Sequence, residues 1–296
     1  MADPGLIARH PLLRPLLTPL LFALCFVLFL FATFPYDTLG RRLEDEAGKN
    51  GLDLTIGRLG HSGFLGVRAT EVKVRGNSLQ FDFERVDLRP ELLSLLLRRT
   101  AFGFSFEGYG GTGKGHAALS KDGQNLTSFS LEVKNLDARA LSLAFLPGTE
   151  LVGTAQVKID LPTLLPEEAT TGQLKVSIKG TGLNSGNLMG LTIPKASLGD
   201  LELLASVDKG VVKVEKGGLH GGDLDADLDG SIQLRPLKSL SVADLHLRFK
   251  PVERWLNENP AIKGLMGIIQ NGKQPDGSYL FTFSGPLASL SQRPGR

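Results

Sequence analysis

Ala101-Phe102-Gly103-Phe104-Ser105-Phe106 sets an aromatic ring at every second position, with almost nothing bulky between. In an extended chain successive side chains point to opposite faces, so three phenylalanines share one face. A helix, with its period near 3.6 residues, cannot gather that spacing on one side. The same period of two recurs on both sides of this stretch. Glu71-Val72-Lys73-Val74-Arg75 and Leu79-Gln80-Phe81-Asp82-Phe83-Glu84 alternate apolar with charged or polar groups. So do Leu126 to Val133, Thr154 to Leu161, Gln173 to Lys179, Leu201 to Val207, Val211 to Glu215, Asp223 to Leu234, Leu245 to Phe249 and Tyr279 to Phe283. Glycine-containing turns separate most of them. The expectation is a mainly β chain with an elongated, curved and twisted antiparallel sheet. Its apolar face must be covered by a second sheet, by helices or by a ligand. A packed sandwich is the ordinary outcome for aromatics at strand period. The alternative is an open trough lined by Phe81, Phe83, Phe102, Phe104 and Phe106.

Two stretches break the pattern. Pro90 to Arg98 carries Leu92, Leu93, Leu95, Leu96 and Leu97, and Val252 to Gln270 carries Trp255, Leu256, Ile262, Leu265, Met266, Ile268 and Ile269. Proline at the start of each suits the first turn of a helix, and both read as short helices packed on the sheet or plugging its ends.

The N-terminal region differs in kind. Pro15 to Tyr36 is 22 residues without a charge, long enough to cross a bilayer as a helix. A secretory signal would have a core of about 7 to 15 apolar residues and small residues before its cleavage site. Here the exit is Phe31-Ala32-Thr33-Phe34-Pro35-Tyr36-Asp37. The expectation is therefore an uncleaved transmembrane anchor over 15–36, with 1–14 a cytoplasmic tail. Residues 37–50, with Leu39, Leu43 and Ala47 four apart, read as a juxtamembrane helix ending at Gly48 or Gly51. Residues 51–296 form the β-rich body, as one unit or as two similar halves joined near 162–172. In a bacterium the ordinary signal-anchor outcome puts that body in the periplasm, on a single-pass inner-membrane protein.

Composition excludes several functions. The 33 Lys and Arg against 31 Asp and Glu leave a formal charge of +2, so no strong field draws the chain to nucleic acid. A hydrophobic content of 42% is too high for disorder. Cys25 is the only cysteine and lies in the apolar segment, which rules out an intrachain disulfide or a Cys-based metal site.

Three arrangements approach known chemistry and stop short. Gly108-Tyr109-Gly110-Gly111-Thr112-Gly113-Lys114 has the spacing of a phosphate-binding loop, but Gly115 follows where a Ser or Thr is required. A glycine-rich hairpin is the better reading. Asp223, Asp225, Asp227 and Asp229 before Gly230 imitate half of a calcium loop, yet Pro236 occupies the position of the bidentate glutamate. The interleaved Leu224, Ala226 and Leu228 make a strand with an acidic, wet face. His10, His61, His116, His220 and His246 are scattered, and no Gly-x-Ser-x-Gly elbow occurs. No catalytic residue, cofactor or metal site is assigned, and the chain is expected not to be an enzyme.

Phe34-Pro35-Tyr36-Asp37, Leu88-Arg89-Pro90, Gly221-Gly222 through Gly230-Ser231-Ile232-Gln233-Leu234, and Asp276-Gly277-Ser278-Tyr279-Leu280-Phe281-Thr282-Phe283-Ser284-Gly285 carry a resemblance that spans most of the chain. It resembles the N component of bacterial type II secretion systems, in the longer form found with delta-proteobacterial machines. The resemblance implies a non-enzymatic, inner-membrane-anchored, periplasm-facing accessory subunit whose partners are other secretion-system subunits. More distantly the chain is similar to AsmA-type proteins. That likeness implies a lipid-binding or lipid-transfer module, with phospholipid held on the apolar face of a curved sheet.

Overall fold

The computed structural model describes residues 29, 34–49, 51–63, 66–76, 80–91, 94, 100–123, 125–141, 149–166, 169–188, 191–235, 237 and 240–295. A helix, α1 (Tyr36–Lys49), leads into β1 (Asp53–Ser62), β2 (Gly66–Arg75), β3 (Gln80–Pro90), β4 (Thr100–Gly108), β5 (Gly111–Leu119), β6 (Leu126–Asp137), β7 (Thr149–Thr163), β8 (Thr171–Leu188) and the short β9 (Leu191–Ile193). Then come β10 (Ala196–Asp208), β11 (Val211–His220), β12 (Leu224–Gln233) and β13 (Val242–Pro251). Two helices, α2 (Glu253–Glu258) and α3 (Pro260–Ile268), precede β14 (Tyr279–Pro286) and β15 (Ser291–Pro294).

All the strands lie in one antiparallel sheet ordered as they occur in the chain, with β9 hanging off β8 alone. Hairpin follows hairpin because each turn has the chemistry to reverse the chain. Tyr109 and Gly110 both have positive φ, 51° and 68°, the two-residue turn whose twist matches its flanking strands. Lys209 and Gly210 repeat it at 48° and 73°. Strands spaced about 4.8 Å apart make a fourteen-strand path roughly 60 Å across. β1 and β15 do not pair with each other, so the sheet is open.

This corrects the expected fold in two respects. The first concerns the leading helix. Among the described residues no helix is long and apolar enough to cross a membrane, and most of 15–36 lies outside the described residues. The described helix α1 begins at Tyr36, directly after Pro35, and carries Asp37, Arg41, Arg42, Glu44, Asp45, Glu46 and Lys49. A helix so charged along its length belongs in water or against a protein surface. It lies on β1, with buried Gly40 facing Leu59, and Glu44 Oε1 accepts the outward N–H of Ile56 at 2.8 Å. That contact satisfies part of an otherwise bare sheet edge.

The second correction concerns covering. There is one sheet where a sandwich was the ordinary expectation, and the helices among the described residues are too few and too short to roof it. Of the Leu-rich 90–98 segment, Pro90 closes β3 in place of opening a helix, and 92–93 and 95–98 lie outside the described residues. The 252–270 segment is two short helices, of which only Ile262 is buried, while Ile268 is 77% exposed. The segment near 162–172 is the connection between β7 and β8, which pair along their length from Thr149↔Gly186 to Thr163↔Thr171.

The register places the apolar residues on one continuous face. Leu131, Ile159, Leu174 and Ala205 stand side by side across β6, β7, β8 and β10, as do Val133, Val157, Val176 and Leu203 in the next row. The face continues through Leu228, Leu247 and Phe281. Irregularities at Asn135 in β6, Gly153 in β7, Gly180 in β8 and Gly199 in β10 all have positive φ. The first two, and Gly199, sit at register shifts. Such bulges bend a strand and sharpen its twist, and here they fall on neighbouring strands, so they crease the sheet along one line.

Polar groups keep to the other face or to the strand ends. Asp87 lies buried with Ser62, whose hydroxyl donates to it at 2.5 Å, and Arg68 holds it from two nitrogens at 2.7 and 3.3 Å. Burial alone raises its pKa, but the hydrogen bonds from Arg68 and Ser62 win and hold it below the usual carboxylate range. At the far end of the sheet Asp276 accepts from the Ser278 hydroxyl at 2.7 Å, from the Ser278 N–H at 3.1 Å and from Arg248 at 2.5 Å. Those bonds, the Ser278 hydroxyl first, take its pKa from 3.8 to about 2. A depressed carboxylate stabilises the fold above its unfolded pKa and loses that contribution as pH falls through the folded one. Acid titration is therefore expected to weaken the chain between pH 3.8 and about 2. Asp276→Asn should remove that component of the pH dependence, as read by chemical denaturation at each pH.

Candidate functional site: an apolar trough

The apolar face carries a cavity of about 550 Å³ lined by residues of β3, β4, β6, β7 and β8, a size ordinary for a small-molecule site. Phe81, Phe83 and Phe106 form one wall. Leu131, Val157, Ile159, Leu174 and Val176 form the floor, and Ala140 and Leu141 lean in from the turn after β6. Among the described lining residues Tyr109 alone has a polar side-chain atom. Its hydroxyl accepts the Asp82 N–H at 3.0 Å, and burial raises its pKa, keeping it a neutral phenol.

The wall owes its form to a local change of side-chain alternation. Arg85, Asp87, Ser105 and Glu107 line a polar depression on the opposite surface, so Val86, between Arg85 and Asp87, faces the apolar side. Phe83 also faces that side although it has the parity of Arg85, because Glu71, on the neighbouring strand beside this point, takes a φ of 55°. Phe83 thereby meets Phe106 edge to face with centroids 5.0 Å apart, a favourable aromatic geometry.

Glycines seat the rings. Phe106 pairs with Gly113 and Phe104 with Gly115 across the β4–β5 ladder. A Cβ at Gly113 would lie 2.2 Å from the tip of the Phe106 ring, and one at Gly115 would lie 2.6 Å from the tip of Phe104. The rings thus lie flat over β5, and Phe104 reaches across to stack on Phe129 at 5.9 Å. Of the five phenylalanines singled out in the sequence, Phe81, Phe83 and Phe106 line the cavity. Phe104 and Phe102 share its face beside it, Phe102 opposite Pro90 and Ala117. The aliphatic floor was not singled out, although the alternation of 126–133, 154–161 and 173–179 contains it.

A second apolar depression of about 280 Å³ adjoins the first, between β10 and β13. Leu201, Leu203, Leu219, Leu228 and Leu247 surround it, over the small residues Gly217 and Ala226. Leu203 is the direct partner of Val176, so the two depressions share a boundary.

The other chemistry considered in the sequence takes plain structural forms. Gly108 to Lys114 is the β4–β5 hairpin, with no helix N-terminus to hold a phosphate. Asp225, Asp227 and Asp229 project from the polar face of β12, where Asp229 meets His246 at 2.9 Å and Asp227 meets His220 at 3.3 Å. Among the described residues no three His, Cys, Asp or Glu side chains converge as a metal site. No protein family, curated protein or solved structure matches the chain.

Proposed function

We propose that this protein is a lipid-binding module that holds acyl chains on the open face of its sheet. The observation that carries the reading is the cavity of about 550 Å³ with an apolar lining, on a sheet face that no second layer among the described residues covers. An exposed apolar surface of this extent is costly in water and marks a binding surface. The chemistry of the lining selects the occupant. A peptide would bring N–H and C=O groups into a cavity whose described lining offers them no partner beyond the Tyr109 hydroxyl, at a cost of several kcal/mol for each group left unpaired. An acyl chain brings none and gains about 0.8 kcal/mol per buried methylene. One bilayer leaflet is roughly 15 Å of hydrocarbon, which a groove crossing strands about 4.8 Å apart accommodates within four of them.

The test is photo-crosslinking of the full chain with a phospholipid carrying a diazirine on its acyl chain, followed by peptide mapping. Crosslinks on the peptides containing Phe83, Leu131, Val157 and Val176 are the expected result. Crosslinks confined to residues 15–36 would refute the reading.

A second proposal, a non-enzymatic subunit of a bacterial type II secretion system working at the inner membrane and facing the periplasm, is carried by the sequence resemblance. One observation favours a protein partner: every residue of β15 is exposed, and such an edge accepts an added strand. Unimpaired export of folded enzymes after disruption of the gene would exclude this role.

A further inference from the structure

We infer that the trough takes both acyl chains of one diacyl lipid, splayed apart, the first over β3 to β8 and the second in the depression between β10 and β13. The inference rests on the lipid reading above and narrows its ligand from an acyl chain to a two-chain lipid. One line of direct strand partners runs from Leu59 in β1 to Pro294 in β15, across all fourteen strands of the sheet path. Every member is apolar or glycine. Val157 and Val176 of that line belong to the cavity of about 550 Å³, and Leu203, Gly217, Leu228 and Leu247 to the depression of about 280 Å³. No polar side chain in the line divides the two.

A missing side chain makes the second depression. Gly217 stands between Leu203 and Leu228, its direct partners on either side. The three atoms nearest to a Cβ built on it are Leu228 O at 2.7 Å, Leu228 Cβ at 3.0 Å and Val214 Cγ1 at 3.3 Å. None of them belongs to a ring, whereas Gly113 in the first cavity lies under Phe106. Glu202 and Asp227 also bound the depression, but alternation turns their carboxylates to the other face. There Glu202 pairs with Lys216 and Asp227 with His220. The two hollows meet at Val176 and Leu203, direct partners on neighbouring strands about 4.8 Å apart. The chains of a phospholipid leave neighbouring carbons of one glycerol, so a glycerol over that pair delivers one chain to each side. The second chain buries leucines that a single-chain ligand in the larger cavity leaves in water.

The test photolyses the full chain with a phosphatidylcholine that carries a diazirine on each acyl chain. The expected product is one lipid joined to two tryptic peptides, one containing Val157 or Val176 and the other Leu203, Leu228 or Leu247. Leu228→Asp should lower capture of this lipid about a hundredfold, the worth of about three or four withdrawn methylenes. Capture of a diazirine lysophosphatidylcholine, which has one chain, should stay unchanged, and its retention shows that the variant folds. The milder Leu228→Ala should weaken two-chain capture about tenfold and likewise spare the single-chain lipid. Separate lipids attached in the two hollows overturn the inference. So does a doubly attached lipid with both chains over β3 to β8, or equal affinity of the unaltered chain for the two lipids. Leu228→Ala affecting both lipids or neither overturns it as well. Failure of the lipid reading itself would look different: no adduct from either lipid on the peptides containing Val157 and Val176.

Discussion

Val157→Asp is expected to abolish acyl capture while Gln156→Asp, one residue away, leaves it intact. The two positions are consecutive in β7, so they point to opposite faces. Val157 lines the cavity, and Gln156 is exposed on the polar side beside Ser177. The same carboxylate is thus delivered to each surface of one strand. On the apolar face it keeps its water only if the acyl chain withdraws, since an ionised group pressed against hydrocarbon loses far more than the contact returns. Losing about four methylenes of contact, at about 0.8 kcal/mol each, lowers affinity roughly two hundredfold. Because Val157 is half-buried on a face that no second layer among the described residues covers, the new carboxylate stays hydrated in the empty protein. The stability cost should therefore remain near about 1 kcal/mol, the usual size for a point substitution. Crosslinking yield with the diazirine phospholipid, measured alongside denaturation, separates the two effects. Equal capture by both variants would show that the lipid is held elsewhere.

The strands of this sheet were largely legible because alternation is a local property. Leu245 to Phe249 and Tyr279 to Phe283 can be read without knowing what they pair with. β5 was hidden for the opposite reason. Its inward positions are Gly111, Gly113, Gly115 and Ala117, all buried, so the apolar face of the strand has hardly any side chain to reveal it. β1 was obscured by Gly57 and Arg58, which interrupt its alternation. The change of facing near Glu71 has no sequence signature either, since positive φ at a glutamate follows from strand packing and not from its own preference. What alternation cannot report is whether the apolar face is covered. Val157 and Val176 read the same in a sandwich core as in an open trough, and only the assembled sheet distinguishes them. The candidate site was half legible: the phenylalanine wall announced itself through ring spacing, whereas the aliphatic floor looked like any other strand interior.

The glycines of β5 give the second large effect, because neighbouring positions in one hairpin should respond oppositely to the same methyl group. Gly115→Ala places a Cβ 2.2 Å from Ser130 O, a main-chain atom of the paired strand, and 2.6 Å from the Phe104 ring. A carbonyl in a β ladder cannot retreat without opening its hydrogen bonds, so the cost should reach the upper part of the range for overpacking, about 3 kcal/mol. Gly103→Ala, in the position next to the partner of Gly115 on β4, meets nothing nearer than the His116 ring at 3.6 Å. That methyl fits, and it reduces the freedom of the unfolded chain, so stability should hold or rise by about 0.4 to 1 kcal/mol. Gly113→Ala falls between them, because the atoms it meets at 2.2 to 2.8 Å all belong to the Phe106 ring. A half-buried side chain can swing away where a backbone cannot, and the room it has is the cavity itself. Gly113→Ala should therefore lower acyl capture more than stability, whereas Gly115→Ala lowers stability first. If Gly115→Ala and Gly103→Ala prove equally stable, the rings do not rest on β5 as described, and the wall of the trough is built differently.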